Sequence, residues 1–457
     1  MRRLLFVFIL LMAASGLRAS DPLLYVYRGD SLLHHRIPLV EGTLMEHSGG
    51  DLHIGDLSVP FHAVDSAVVR HTDIPTLRIT LPDYPDSTEL WVKKEYIAAR
   101  LTVDGNGMVP DTTDMELNIR GRGNSTWGLA KKPMRLKFDK KTSICGFKKA
   151  KSYALLADYL DPTHARNAVA LWLAQRLGMS YANHFMPVNV VLNGCWKGMY
   201  LLTEKIGTNS GSVDIDETSG MLFELSSQFD QKYQFRSRIY NLPVMVKDPD
   251  FDELERKYPD GPMAAERMAL WEDDFNRAES IAVELKGFEV FDRDAFVDYM
   301  LVYNLAGNNE IGFPKSQYIY KENMEPDSKY CYGPVWDFDV AFGIFTSHAD
   351  TLVFTDPREP LWINPLMDDL VMTDGFQEAY EARFEQFHDE IFPELLEFLD
   401  GYAALVDPSL KLDGVTWPEY DDRGWIIREI SFDTDVNFRL LRYWLTERVA
   451  YMKAQIE

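Results

Sequence analysis

What most limits how this chain can fold is a period-two alternation broken by a loop rich in glycine and arginine. From Thr113 to Arg120, the apolar residues Met115, Leu117 and Ile119 alternate with polar neighbours. That pattern predicts a strand with one buried face. After Pro133, Met134, Leu136 and Phe138 alternate in the same way. Between them lie Gly121-Arg122-Gly123-Asn124-Ser125-Thr126-Trp127 and then Lys131-Lys132-Pro133. Gly121 and Gly123 allow positive φ and close approach of backbone to a ligand. Arg120, Arg122, Asn124, Ser125, Lys132 and Lys137 offer donors suited to phosphate or carboxylate oxygens. A tight hairpin is the plainer alternative for Gly-x-Gly alone. The surrounding basic residues favour an anion cradle feeding a strand.

A second short stretch complements it. Trp336-Asp337-Phe338-Asp339 reads as a strand, which would put Asp337 and Asp339 on one face and the aromatic rings on the other. Adjacent carboxylates repel unless a cation lies between them, and Mg²⁺, Mn²⁺ or Ca²⁺ would suit. A solvated polar face is the alternative. The large rings opposite, packed on a core, favour metal.

The formal charge of −24 argues against a nucleic-acid partner, because an acidic chain repels a phosphate backbone. Residues 1–19 read as a secretory signal peptide: Arg2 and Arg3, an apolar run from Leu4 to Ala14, then small residues. The protein is therefore expected to be exported: periplasmic, cell-surface or secreted. No later stretch is long and apolar enough for a transmembrane span. Cys145, Cys195 and Cys331 make no disulfide framework and are expected as buried free thiols. Residues 20–72 predict a small β-rich module. Strands continue to Met221–Leu225, residues 248–274 read as a charged surface insertion, and helices dominate beyond Leu270. A β-rich half at about 73–225 and a helical half at about 270–457 suggest an α+β protein with a cleft between two lobes.

Taken together, Ile119-Arg120-Gly121-Arg122-Gly123-Asn124-Ser125-Thr126-Trp127, Lys132-Pro133 with Arg135-Leu136-Lys137-Phe138, Gly198 to Lys205, and Trp336 to Asp339 with Phe342-Gly343 resemble the CotH family of atypical protein kinases. The resemblance runs from about Ile74 to the C-terminus. It implies a divergent protein-kinase-like, two-lobed fold, ATP, a divalent cation, and phosphate transfer to Ser or Thr of an acceptor protein. By that resemblance Lys137 grips phosphate, with Lys132 as competitor, and Glu204 contacts the nucleotide. Asp337 and Asp339 hold metal. Glu310 stands where the family has an aspartate, and Lys315 where it has a metal-holding asparagine. Three functions fit these residues: a kinase, a degenerate nucleotide-binding or adhesin-like surface protein, and a polysaccharide hydrolase using paired carboxylates. Acceptor and oligomeric state are not legible.

Overall fold

The computed structural model describes residues 74–216, 218–347, 351–417 and 434–457, together with six short strands before them. The signal-peptide reading of residues 1–19 lies outside the described residues. Early strands β1 (Leu23–Arg28), β2 (Ser31–Pro38) and β6 (Ser66–Arg70) form one small sheet. Strands β3 (Met45–Ser48), β4 (Asp51–Ile54) and β5 (Leu57–Pro60) form another.

A closed seven-stranded barrel follows. Its strands are β7 (Thr76–Thr80), β8 (Ile97–Asp104), β9 (Thr112–Gly121), β10 (Met134–Thr142), β11 (Ala150–Leu156), β12 (Phe185–Leu192) and β13 (Cys195–Glu204). Every neighbouring pair is antiparallel except β7 with β12. The alternation seen in the sequence fills its interior: Leu117, Ile119, Leu136, Phe138, Leu155, Val190 and Leu202 belong to one buried cluster. Closing the sheet removes its edges. Asn193 and Gly194, both at positive φ, make the two-residue turn of the β12–β13 hairpin.

A second sheet, β14 (Met221–Leu225), β15 (Gln234–Arg236), β16 (Pro243–Asp248), β17 (Gln317–Lys321) and β18 (Cys331–Tyr332), packs with helices into a separate, larger core. Those helices include α1 (Arg166–Arg176), α2 (Phe251–Lys257), α3 (Ala264–Ala282), α4 (Arg293–Ala306), α5 (Pro365–Met372), α6 (Phe376–Gln386), α7 (Phe392–Thr416) and α8 (Thr434–Ile456). A short hairpin, β19 (Ile344–Ser347) and β20 (Thr351–Phe354), completes the strands described. The α+β class expected from sequence is therefore present, and its β-rich part is a barrel.

Several local expectations are corrected. Residues 248–274, read as a charged surface insertion, carry α2 and the start of α3; most are exposed, while Phe251, Leu254, Ala264 and Trp271 are buried in the main core. Ala165 holds the N-cap position of α1 and makes no side-chain cap. Asp161 accepts the N–H groups of Thr163 and Arg166 instead. Cys195 and Cys331 are only half-buried, while Cys145 is buried, and none of the three forms a disulfide. Most consequentially, residues 333–340 form no strand. Asp337 has φ +72°, in the left-handed region that asparagine and aspartate tolerate best. Side chains satisfy this backbone where a neighbouring strand would have done so. Asn308 donates to the Asp337 carbonyl, and the Phe338 N–H donates to Asn167 Oδ1.

Candidate active site

The end of β9 and the loop after it form one wall of a cleft of about 420 Å³. Asp337 and Asp339, with Lys315 and Ser316, line the same cleft. Thus Arg120, Gly121, Arg122, Gly123, Asn124 and Ser125 share a single cavity with both aspartates, as the sequence reading required. Seven basic side chains and five carboxylates line it, so the cleft is cationic in a chain of net charge −24. Such local focusing favours an anionic ligand.

Two backbone features shape the loop. The N–H groups of Gly121 and Arg122 are taken by the carbonyls of Val92 and Pro133, so a backbone cradle has to come from residues 123–126. Gly121 is pressed against Trp127: a Cβ there would lie 1.9 Å from the indole ring. Gly123 has φ +84°. Gly121→Ala is therefore expected to cost about 1–3 kcal/mol through overpacking and to displace the loop. A melting temperature unchanged by the substitution would show that the indole moves aside freely.

Arg122 stacks its guanidinium over the Trp336 ring at 5.4 Å. Trp336 therefore faces the cleft with the carboxylates, and does not fill an opposite face as strand geometry would demand. Phe338 turns into the core, against the ring of Tyr303. Asp339 is 9 % exposed, and its carboxyl is pushed far above the usual range, first by burial and then by the charges of Asp337 and Asp158. Asp337 accepts from Ser316 Oγ at 3.2 Å and lies 3.9 Å from Lys315 Nζ.

Glu310 does not line the cleft wall but stands just behind it. Gly307 ends α4 in the left-handed conformation, and Asn308 then accepts from the Glu310 N–H while its amide holds the Asp337 carbonyl. Glu310 bonds directly to Lys315. Burial and Asp337 nonetheless push the Glu310 carboxyl up to about 7. Lys315 is raised too: burial works against its ammonium, but Asp337 and Glu310 outweigh that.

Three expected residues fall elsewhere. Lys137 is exposed on the outside of the barrel, its ammonium over the Tyr96 ring, because Leu136 and Phe138 take the interior positions of β10. Lys132 turns away from the cleft and donates to the carbonyls of Trp127 and Leu129, bracing the loop from behind. Glu204 is buried at the end of β13, where it accepts the His184 N–H and meets His184 Nδ1 at 2.7 Å.

Sequence reading put Lys131 in the basic stretch without a role of its own and missed Asp158, Asn167, Glu224 and Lys247; all five line the cleft. Lys131 is fully buried and bonds the Met199 carbonyl and Asp413 Oδ1. Asp158 stands two residues past the end of β11, and a carboxylate following that apolar run was its only local signal. Burial raises its carboxyl to about 6. Glu224 on β14 pairs with Lys247 on β16 at 2.6 Å.

The cleft can be tested for a divalent cation. Asp158 Oδ2 is buried without a hydrogen-bond partner, and Asp339 is destabilised as a charge by its neighbours. An oxygen-seeking cation would relieve both. Among the described residues no three His, Cys, Asp or Glu side chains form a metal-holding group. Two carboxylates, completed by phosphate oxygens and water, suit Mg²⁺.

Barrel, helical body and cleft together define an α+β protein with a cation-lined cavity facing a group of carboxylates. The chain belongs to the CotH kinase protein family, whose match covers residues 119–452. That bears out the resemblance drawn from the motifs. A comparison with curated proteins found no match. Among the described residues no helix is long and apolar enough to cross a membrane.

Proposed function

We propose that this protein is an atypical kinase that transfers the terminal phosphoryl group of ATP to a serine or threonine hydroxyl of a protein. The observation that carries this reading is the convergence of the Arg120–Ser125 loop with Asp337, Asp339 and Lys315 in one cleft. Phosphoryl transfer depends chiefly on placing charge around the phosphates. The loop and Arg122 hold the phosphates, with the barrel as the nucleotide-side lobe of a kinase-like pair. Carboxylates lining the cleft would hold Mg²⁺ or Mn²⁺, which would neutralise phosphate charge. Glu310 takes the hydroxyl proton as the acceptor oxygen bonds to phosphorus and the bridging oxygen departs with ADP. Residues 1–19 would direct this activity outside the cytoplasm.

Two expected results test it. The full chain with γ-labelled ATP and Mg²⁺ or Mn²⁺ should label protein, and Asp337→Ala/Asp339→Ala should not. Label persisting in that double variant would refute the assignment. With Glu310 at about 7, the active base form appears as pH rises, so the rate should climb through about pH 7 and then level. Glu310→Gln should lower the rate by roughly 10²–10⁴ and flatten the profile. An unchanged profile would remove Glu310 from the reaction.

One observation favours a second reading, a catalytically degenerate nucleotide-binding protein. The bond between Lys315 and Glu310 already occupies the carboxylate that would accept the proton. Thermal stabilisation by ATP without label transfer would select it.

A further inference from the structure

The two aspartates of the 336–339 segment do not have the same surroundings. Asp337 already has a cation and a donor, Lys315 Nζ at 3.9 Å and Ser316 Oγ at 3.2 Å. Asp339 is 9 % exposed, and among the described residues no hydrogen bond or ion pair to it is found. The nearby charges acting on it are mostly other carboxylates: Asp337, Asp158 and Glu310.

Asp158 lines the same cavity, two residues past the end of β11. It is 4 % exposed, and its Oδ2 is buried and unpartnered. Its other oxygen is held: Asn167 Nδ2 donates to Asp158 Oδ1 at 2.8 Å. The same Asn167 accepts the Phe338 N–H through Oδ1, also at 2.8 Å. One amide on α1 therefore ties Asp158 to the residue immediately before Asp339. It leaves Asp158 Oδ2, unpartnered among the described residues, in the same cleft as the Asp339 carboxylate. Uncompensated buried carboxylates are costly, and a hard divalent cation is the ligand that satisfies both.

We propose that the divalent cation is held between Asp158 and Asp339, with Asn167 positioning the former, while Asp337 is committed to Lys315 and Ser316. This rests on the kinase reading for the phosphate oxygens that complete the cation's shell, but the two carboxylates stand independently of it. Lys315 then acts as a fixed positive charge where a second cation would otherwise be needed. The site therefore takes one metal ion.

The test is Mn²⁺ binding to the full chain, followed by the electron paramagnetic resonance signal of free Mn²⁺, alone and with ADP present. One site is expected. Asp158→Asn and Asp339→Asn should each raise its dissociation constant more than about tenfold, and Asn167→Ala about tenfold. Asp337→Asn should leave it within a few-fold. Melting in EDTA controls for folding, and should a variant at Asp158 not fold, Asp339→Asn against Asp337→Asn decides. Loss of the site in Asp337→Asn with retention in Asp158→Asn would overturn the assignment and leave the kinase reading standing. A chain that binds no Mn²⁺ under either condition would overturn both.

Discussion

Arg166→Met is expected to lower the stability of the folded chain by about 3–5 kcal/mol, the cost of stranding one partner of a buried ion pair. Arg166 is 2 % exposed and Asp161 is fully buried. The guanidinium bonds Asp161 directly, and its Nε donates to the Ala341 carbonyl at 2.9 Å. Burial works against the Asp161 charge, but Arg166, Thr163 and the Arg166 N–H outweigh it and hold the carboxyl below its usual range. Removing the guanidinium leaves that carboxylate buried with only neutral donors. The effect should reach the cleft as well, because Ala341 lies just beyond Asp339. Urea unfolding measures the loss, and Asp161→Asn combined with Arg166→Met should recover part of it. A loss below about 1 kcal/mol would mean that the pair is solvated, as surface pairs are.

The second large effect is expected at Asp413. This residue of α7 meets Lys131 Nζ at 2.8 Å, accepts the Met199 N–H at 2.8 Å, and lies 3.3 Å from His164 Nε2. All three side chains are buried. Asp413→Ala leaves the Lys131 ammonium without its carboxylate and opens a Met199 N–H, so a loss of about 3–5 kcal/mol is expected. The pH dependence has a definite sign. Burial would raise Asp413, but Lys131 and His164 outweigh it and depress the folded carboxyl to about 2, below its ordinary 3.8. A depressed carboxylate contributes stability that is fully present above the ordinary value and is lost as pH falls through about 2. Asp413→Asn should therefore remove part of the acid-induced loss between about pH 4 and 2. Identical acid unfolding curves for the variant and the natural chain would contradict this account. Lys131 is thus an anchor joining the barrel to α7, and its zero exposure argues against a direct hold on phosphate.

The contrast between Lys131, Lys132 and Lys137 shows where sequence reading stops. All three sit in one short basic stretch, and nothing local separates them. In the fold, one is sealed against Asp413, one braces the Trp127 turn, and one stands on the barrel exterior. Glu204 follows the same rule: its strand was foreseen, but its partner was set by where His184 lands. Asp337 shows the reverse. The strand expected around it does not form, yet its carboxylate still reaches the cleft beside Asp339.

The sequence by itself determined the alternating strands, the Gly-Arg loop and the family, because each is written in neighbouring residues or in an ordered set of motifs. Only the tertiary structure decided which charges pair. Asp158 joins the cleft through Asn167, and Lys131 finds a carboxylate at Asp413. Such partners are selected by burial, since a charge taken out of water must find its counter-charge wherever packing places one, at any distance along the chain.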